Sequence, residues 1–210
     1  MLVAFDFDGT LSDSEMVVEL ADRQGRADEV ADITRRAMND EIAYAESLRQ
    51  RCAVLEGLDL ATAEAVFEDV RLRPGTADVL ADLAGAGVRT AILTGGFERG
   101  VRGALSGAGT DVETVVANRL RDDGSRLTGA VEGPLIEGTK DDALDVLAAA
   151  EGVDLEATVA VGDGANDLPM LETAGLAIGF DPKPAVEPAC DVVVDTMPEL
   201  RDVLQDRGVY

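Results

Sequence analysis

The sequence predicts an α/β fold: a parallel sheet flanked by helices, with an α-helical bundle inserted after the first strand. Three observations carry this. Short β-rich apolar runs alternate with helical patterns along most of the 210 residues. The stretch from about Ser14 to Leu72 breaks the alternation, with helix-period patterning and no strand signal. Acidic, hydroxyl and glycine residues gather directly after the apolar runs, where open α/β sheets place their ligand sites.

The first strand is Leu2–Asp6, an apolar run ending on a carboxylate; Asp8 follows, and Gly9 lets the backbone turn. Two acids at the tip of a buried strand are costly to desolvate without a cation or a hydrogen-bond cage, which suggests a function for them. Helical spacing comes next. Residues 31–38 and 45–55 place apolar side chains three and four apart, Gly57 ends one helix, and a third runs to about Val70. Arg73-Pro74-Gly75 marks the return to the main domain. The chain thus divides into an α/β core, 1–13 and 73–210, and a helical cap, 14–72, over the carboxyl ends of the strands. Further strands are predicted at Val88–Leu93, Val112–Ala117, Thr158–Val161, Leu176–Ile178 and Val192–Val194. Helices are predicted at about 76–86, 98–106, 139–150, 167–174 and 198–206, with Gly87 and Gly152 where helix ends belong. Asn118 to Gly133 is irregular: Asp123-Gly124 is a turn signal, and Leu127, Thr128 and Val131 suit the returning arm of a hairpin.

Composition narrows the function classes. Apolar residues make up 46% of the chain, ordinary for a packed core. No apolar run is long enough to span a bilayer, and no basic-then-apolar leader precedes the first strand, so a soluble cytoplasmic protein is expected. Cys52 and Cys190 lack metal-ligand spacing and read as reduced thiols. The net charge of −24, from 42 acids and 18 bases, is the wrong sign for a nucleic-acid or anionic-membrane partner. Lys140 and Lys183 are the only lysines; the other 16 bases are arginine. Molar salt shortens the Debye length to about 3 Å, so one reading of the acidity is adaptation to high salt; the other is a merely acidic protein.

Four clusters could carry chemistry: Asp6-x-Asp8-x-Thr10, Thr94-Gly95-Gly96-Phe97, Lys140 near a helix start, and Gly162-Asp163-Gly164-Ala165-Asn166-Asp167. Singly, each has a plain explanation as a turn, a cap or a surface charge. Together they converge on one sheet edge and suit phosphoryl transfer, which needs a nucleophile, charge neutralisation on the phosphoryl oxygens and a proton for the leaving group. Asp6 can attack phosphorus, and Asp8 can protonate the leaving oxygen and then activate water. Asp6 and Asp163 offer two carboxylates to Mg²⁺. Thr94, amides near Gly95 and the Lys140 ammonium can hold the remaining phosphate oxygens. With no histidine in the chain, a phosphohistidine route or an imidazole base is excluded.

These motifs resemble those of the haloacid dehalogenase superfamily and, over nearly the whole length, its phosphoserine phosphatases. The closer resemblance rests on Glu15, Met38, Ser47-Leu48-Arg49-Gln50-Arg51, Thr94-Gly95-Gly96-Phe97, Asn118-Arg119-Leu120, Leu127-Thr128-Gly129 with Val131, and Val159–Asp167. It implies a Rossmann-like core with a helical cap and a Mg²⁺-dependent hydrolysis of O-phospho-L-serine through an aspartyl-phosphate, the last step of serine synthesis. Asp6 is then nucleophile and metal ligand, Asp8 the acid/base with its carbonyl on the metal, and Asp163 the remaining protein ligand. Asp167 supports the metal site, and Asn166 sits beside the phosphate. Thr94, Gly95 and Lys140 bind the phosphoryl group; Glu15 meets the substrate ammonium and Arg51 its carboxylate; Met38 and Tyr44 shield the site from water. Ser12-x-x-Glu15 also fits a capping box, which would account for Glu15 without a ligand. The chain departs from the pattern at Gly9, where serine is common, and at Tyr44, where phenylalanine is usual. A phosphatase for another small metabolite, a phosphotransferase to an alcohol such as homoserine, and a non-catalytic phospho-ligand binder remain the alternatives. The expected partner is a phosphorylated amino acid, and the expected assembly a monomer or homodimer.

Overall fold

A computed structural model of the chain describes residues 1–39 and 41–210. Its strands are β1 (Leu2–Phe5), β2 (Arg89–Phe97), β3 (Thr114–Asp122), β4 (Leu127–Glu132), β5 (Thr158–Gly162), β6 (Leu176–Phe180) and β7 (Val192–Val194). They form one sheet in the order β4-β3-β2-β1-β5-β6-β7. Every pairing is parallel except the β3–β4 hairpin.

The central strand shows why this arrangement forms. β1 is buried along its whole length, as a parallel strand covered on both faces must be. Side-chain alternation sorts its residues: Val3 and Phe5 enter one apolar cluster, Leu2 and Ala4 the other. Helices α7 (Lys140–Glu151) and α8 (Leu168–Thr173) cover the Leu2/Ala4 face. Helices α5 (Thr76–Gly85), α6 (Glu98–Gly107) and α9 (Met197–Asp206) cover the other. The capping box of Thr139 with Asp142 opens α7, and Gly152 closes it in the left-handed conformation.

Two strands differ from the sequence prediction. β2 does not stop at Leu93; it runs through Thr94-Gly95-Gly96 to Phe97, with a register shift against β3. β3 continues past Ala117 to Asp122 and pairs with β4, so the stretch read as irregular is mostly hairpin. Glycine has low strand propensity, and Gly95-Gly96 fall in the register break before Phe97 pairs with Asn118; the end of β3 is held by its pairing with β4.

Between β1 and α5 lie four helices: α1 (Met16–Asp22), α2 (Ala27–Met38), α3 (Tyr44–Ala53) and α4 (Leu60–Asp69). Leu20, Val30, Leu48, Cys52, Val66 and Phe67 from these helices join the same apolar cluster as Phe5 and Ile92. The hairpin fastens one side of the bundle by main-chain bonds: Gly57 N–H donates to Leu127 O (2.9 Å) and Leu60 N–H to Ser125 O (2.8 Å). Where the chain enters and leaves the bundle, Ser12 Oγ donates to Arg71 O (2.6 Å) and Arg73 N–H to Leu11 O (2.8 Å). No helix of the described residues is long and apolar enough to cross a membrane.

Candidate active site

The register of β1 against β5 builds the site floor. Phe5 pairs with Val161, and Asp6 N–H donates to Val161 O (2.9 Å), so Asp6 and Asp163 leave adjacent strands side by side. Gly9, at φ +86°, is packed so closely that a Cβ would sit 2.7 Å from the Asp163 carboxylate. Thr10 Oγ1 reaches the same carboxylate at 3.5 Å.

Asp167 ties the floor together from beneath. Its Oδ2 accepts from the N–H groups of Asp163 (3.0 Å) and Gly164 (2.8 Å), and its Oδ1 from Lys140 Nζ (2.5 Å). Lys140 Nζ also lies 2.6 Å from Asp6 Oδ1. A buried lysine as the first residue of a helix opposes the helix dipole, so its place is set by these two carboxylates rather than by α7. Burial alone would lower the Lys140 pKa, yet Asp167 and Asp6 hold it above the ordinary lysine range. Burial, with Asp167 beside it, pushes the Asp6 carboxyl up against the pull of Lys140. Burial, then Asp6 and Glu15, hold Asp8 well above the usual carboxylate range, while the Ser14 hydroxyl donated to Asp8 Oδ1 (3.1 Å) works the other way.

Oxygens of Asp6, Asp163 and Asp167 lie within 4.8 Å of one another. Asp6 Oδ1 is buried and is met by the Lys140 ammonium as an ion pair. An all-oxygen set of buried carboxylates fits a hard divalent cation.

Above this floor is a cavity of about 470 Å³ between the sheet edge and the helical block. It brings together Asp6, Asp8, Thr94, Gly95, Lys140, Asp163 and Asn166 from below and Glu15, Met38, Tyr44 and Arg51 from above. Asp167 alone of the predicted set stays out of the lining, fully buried beneath it. Thr94 Oγ1 accepts from Gly96 N–H (3.0 Å), and the buried Asn118 donates from Nδ2 to Gly95 O (3.1 Å), which pins this end of β2. A larger cleft of about 880 Å³ lies between α4 and α6. Arg99, Arg102, Arg119 and Arg121 in it are already paired with acids, and it holds none of the predicted residues.

The upper wall is less complete than the floor. Arg51 Nε and Ser47 Oγ are buried with no hydrogen-bond partner. They stand four residues apart in α3, on one helix face, and both line the cavity. Glu15 is not consumed by a capping box: α1 starts at Met16, so Glu15 itself holds the cap position, with no side-chain cap bond. Tyr44 reaches across to Gly95, its hydroxyl filling the space a Cβ there would need. The shield expected of Met38 is not formed in this conformation, since that side chain is 68% exposed at the cavity mouth.

Three residues in and around the site carry no role in the sequence reading: Ser47, Asn118 and Lys183. Lys183 Nζ is 3.0 Å from Asp163 Oδ2 and lines the cavity. Its rarity as one of two lysines was the available signal.

The sequence profile of the haloacid dehalogenase-like hydrolases matches residues 3–172. The chain is 55% identical over 208 residues to a phosphoserine phosphatase of Halobacterium salinarum, covering 99% of each. It is 36% identical over 205 residues to a phosphoserine phosphatase of Methanocaldococcus jannaschii, covering 97% of this chain and 96% of the relative. A solved structure described as a phospho-aspartyl intermediate analogue of phosphoserine phosphatase superposes with a TM-score of 0.88 at 35% identity, over 98% of this chain and 97% of that one. A substrate-bound phosphoserine phosphatase complex superposes with the same TM-score at 34% identity and the same coverage.

Proposed function

The chain belongs to the haloacid dehalogenase-like hydrolases, and from that premise we propose that it hydrolyses O-phospho-L-serine to L-serine and phosphate, the last step of serine synthesis. The carrying observation is the polarity of the cavity. Its floor offers Lys140, Thr94 and a nucleophilic carboxylate to a phosphoryl group, and its roof offers Arg51 Nε and Glu15 to a carboxylate and an ammonium. A small zwitterion esterified with phosphate matches both ends.

Asp6 attacks phosphorus as its carboxylate, and the bond from phosphorus to the serine oxygen breaks. Asp8, whose raised pKa keeps a proton available, gives that proton to the leaving oxygen. The phosphoryl group is now an ester of Asp6. Asp8, ionised, takes a proton from water, whose oxygen attacks phosphorus; the Asp6–phosphorus bond breaks and Asp6 is restored. Lys140, fixed by Asp6 and Asp167, neutralises phosphoryl oxygens through both half-reactions, and Thr94 and the Gly95 amide hold the others. Asn166 sits at the edge of the same pocket.

Asp6, Asp163 and the Asp8 carbonyl would hold Mg²⁺, while Asp167, already engaged by two amides and Lys140, positions Asp163. Bound there, the ion supplies charge neutralisation on the phosphoryl oxygens. Oxygen-only ligands and a phosphate substrate favour Mg²⁺. Closure of α2 and α3 would bring Met38 and Tyr44 over the substrate. Two unpaired cysteines suit a reducing cytoplasm. The Halobacterium relative supports reading the −24 charge as a salt adaptation, checked by higher melting temperatures in molar than in dilute KCl.

The test is phosphate release from O-phospho-L-serine, phosphothreonine, phosphoethanolamine and p-nitrophenyl phosphate, with and without Mg²⁺, alongside assay of phosphorylated homoserine. Phosphoserine is expected to lead the panel, dependent on the ion. Comparable rates on all four esters, or accumulation of the phosphorylated acceptor, defeat the reading.

A further inference from the structure

Both lysines of this arginine-rich chain face one acidic pocket, and the reaction above uses only Lys140. Lys183 enters from the loop after β6. Its N–H donates to Asp163 O (2.9 Å), and its Nζ lies 3.0 Å from Asp163 Oδ2 with half of the side chain open to solvent. Asp163, then Glu15 and Asp167, are the acids that favour its charge.

We propose that Lys183 is a resident counter-ion of the metal site. Its ammonium neutralises Asp163 while no divalent ion is bound and is displaced when one enters, so this residue sets the pocket's metal affinity. The inference rests on the divalent-metal reading of Asp6 and Asp163, and is independent of which phosphate ester is hydrolysed.

Charge is the first reason. Asp6, Asp163 and Asp167 bring three negative charges to the floor, and Lys140 cancels one. Uncompensated carboxylates at this depth are expensive, so a second cation is needed whenever the metal is away. Lys183 is the cation in reach among the described residues; Arg51 stands on the opposite wall. The second reason is the choice of residue. Sixteen of 18 bases are arginine, yet this position has lysine. A guanidinium would clamp a carboxylate with two parallel bonds, whereas an ammonium makes a point contact on a flexible stem. The half-exposed stem can swing to water without disturbing the loop, whose hold on Asp163 is the main-chain bond.

The experiment is calorimetric titration of Mg²⁺ into wild type, Lys183→Met and Lys183→Arg, without substrate, at one KCl concentration. Removal of a nearby positive charge is expected to tighten metal binding about tenfold in Lys183→Met. Lys183→Arg, with its two-pronged grip, is expected to bind several-fold more weakly than wild type. Equal or weaker binding in Lys183→Met, or an arginine variant that follows the methionine one, overturns the proposal.

The wild-type protein gives a second readout that needs no variant. Amine labelling resolved by mass spectrometry is expected to speed up at Lys183 on adding Mg²⁺ while buried Lys140 stays unlabelled. An unchanged rate at Lys183 counts against displacement. A failed affinity order with phosphoserine turnover intact sinks Lys183 alone. Absence of Mg²⁺ binding in every variant sinks the metal reading and this inference with it.

Discussion

The two walls of the cavity differ in how far their polar groups are satisfied. On the floor, Asp167 accepts three hydrogen bonds, Lys140 touches two carboxylates, and Asp6 is fixed by the β1–β5 ladder. On the roof, Arg51 Nε and Ser47 Oγ are buried without partners, and Met38 and Tyr44 remain exposed. A buried donor left unpaired costs about 1–3 kcal/mol, and a fold keeps one where something else supplies the acceptor. The floor is therefore preorganised by the sheet, and on the proposed function the roof is completed by the ligand. Substitutions on the floor are expected to strike turnover on every substrate, and those on the roof to strike only substrates with the matching group.

The largest effect expected is on the floor. Asp6→Asn keeps the shape and removes the proposed nucleophile, so phosphate release is expected to fall at least roughly 10³-fold on every ester, with circular dichroism unchanged. Residual turnover within tenfold of wild type would mean that another group attacks phosphorus, and the contrast between the walls would collapse.

Arg51→Met probes the roof next. Hydrogen bonds to charged groups are worth about 1.5–3 kcal/mol, so kcat/KM for phosphoserine is expected to fall roughly 10- to 100-fold. Phosphoethanolamine has no carboxylate, and its kcat/KM is expected to hold within a factor of about two, the ordinary scatter of a neutral site. An equal loss on both esters would show that Arg51 supports the fold or the phosphate rather than the carboxylate. Ser47→Ala, one turn away on the same helix face, is a weaker form of the same test. A neutral hydrogen bond contributes about 0.5–1.5 kcal/mol, so KM for phosphoserine is expected to rise about 2- to 10-fold with kcat retained. A change in kcat alone would place the hydroxyl with the chemistry.

The same contrast governs what could be read from the sequence. Asp6, Asp8, Asp163 and Asp167 were legible because they fall in two short clusters placed after apolar runs, and Lys140 because lysine is scarce. The floor is local in sequence and only its convergence is tertiary. Lys183 was as scarce but hidden. It sits in Asp181-Pro182-Lys183, which reads as a solvated turn, and it meets Asp163 only because β6 pairs with β5. Ser47 could have been found from its i, i+4 relation to Arg51, yet that spacing is equally common among packed helix residues; its unpaired hydroxyl is visible only with the cavity in place. The continuation of β2 through Gly95-Gly96 was illegible for a simpler reason. Glycine has poor strand propensity, and pairing resumes beyond the two glycines only where Phe97 meets Asn118 of β3, a distant part of the chain.

The smallest effect concerns the proton rather than the framework. On the proposed mechanism Asp8 must be protonated to release the serine oxygen, and burial, Asp6 and Glu15 raise its pKa. As pH climbs through that raised value the proton is lost, so kcat is expected to fall on the alkaline side, at a pH above the ordinary carboxylate range. Ser14 donates to Asp8 Oδ1 at 3.1 Å and favours the ionised form. Ser14→Ala removes that bond, the protonated form gains, and the alkaline limb of the kcat profile is expected to move to higher pH with little change at its plateau. Ser14 touches neither the phosphate-binding residues nor the roof donors, so a general loss of structure would lower the plateau and leave the limb in place. A limb that stays put or moves to lower pH would mean that the titrating acid is not Asp8, and the floor would then owe its acid to a group other than the one the β1 tip provides.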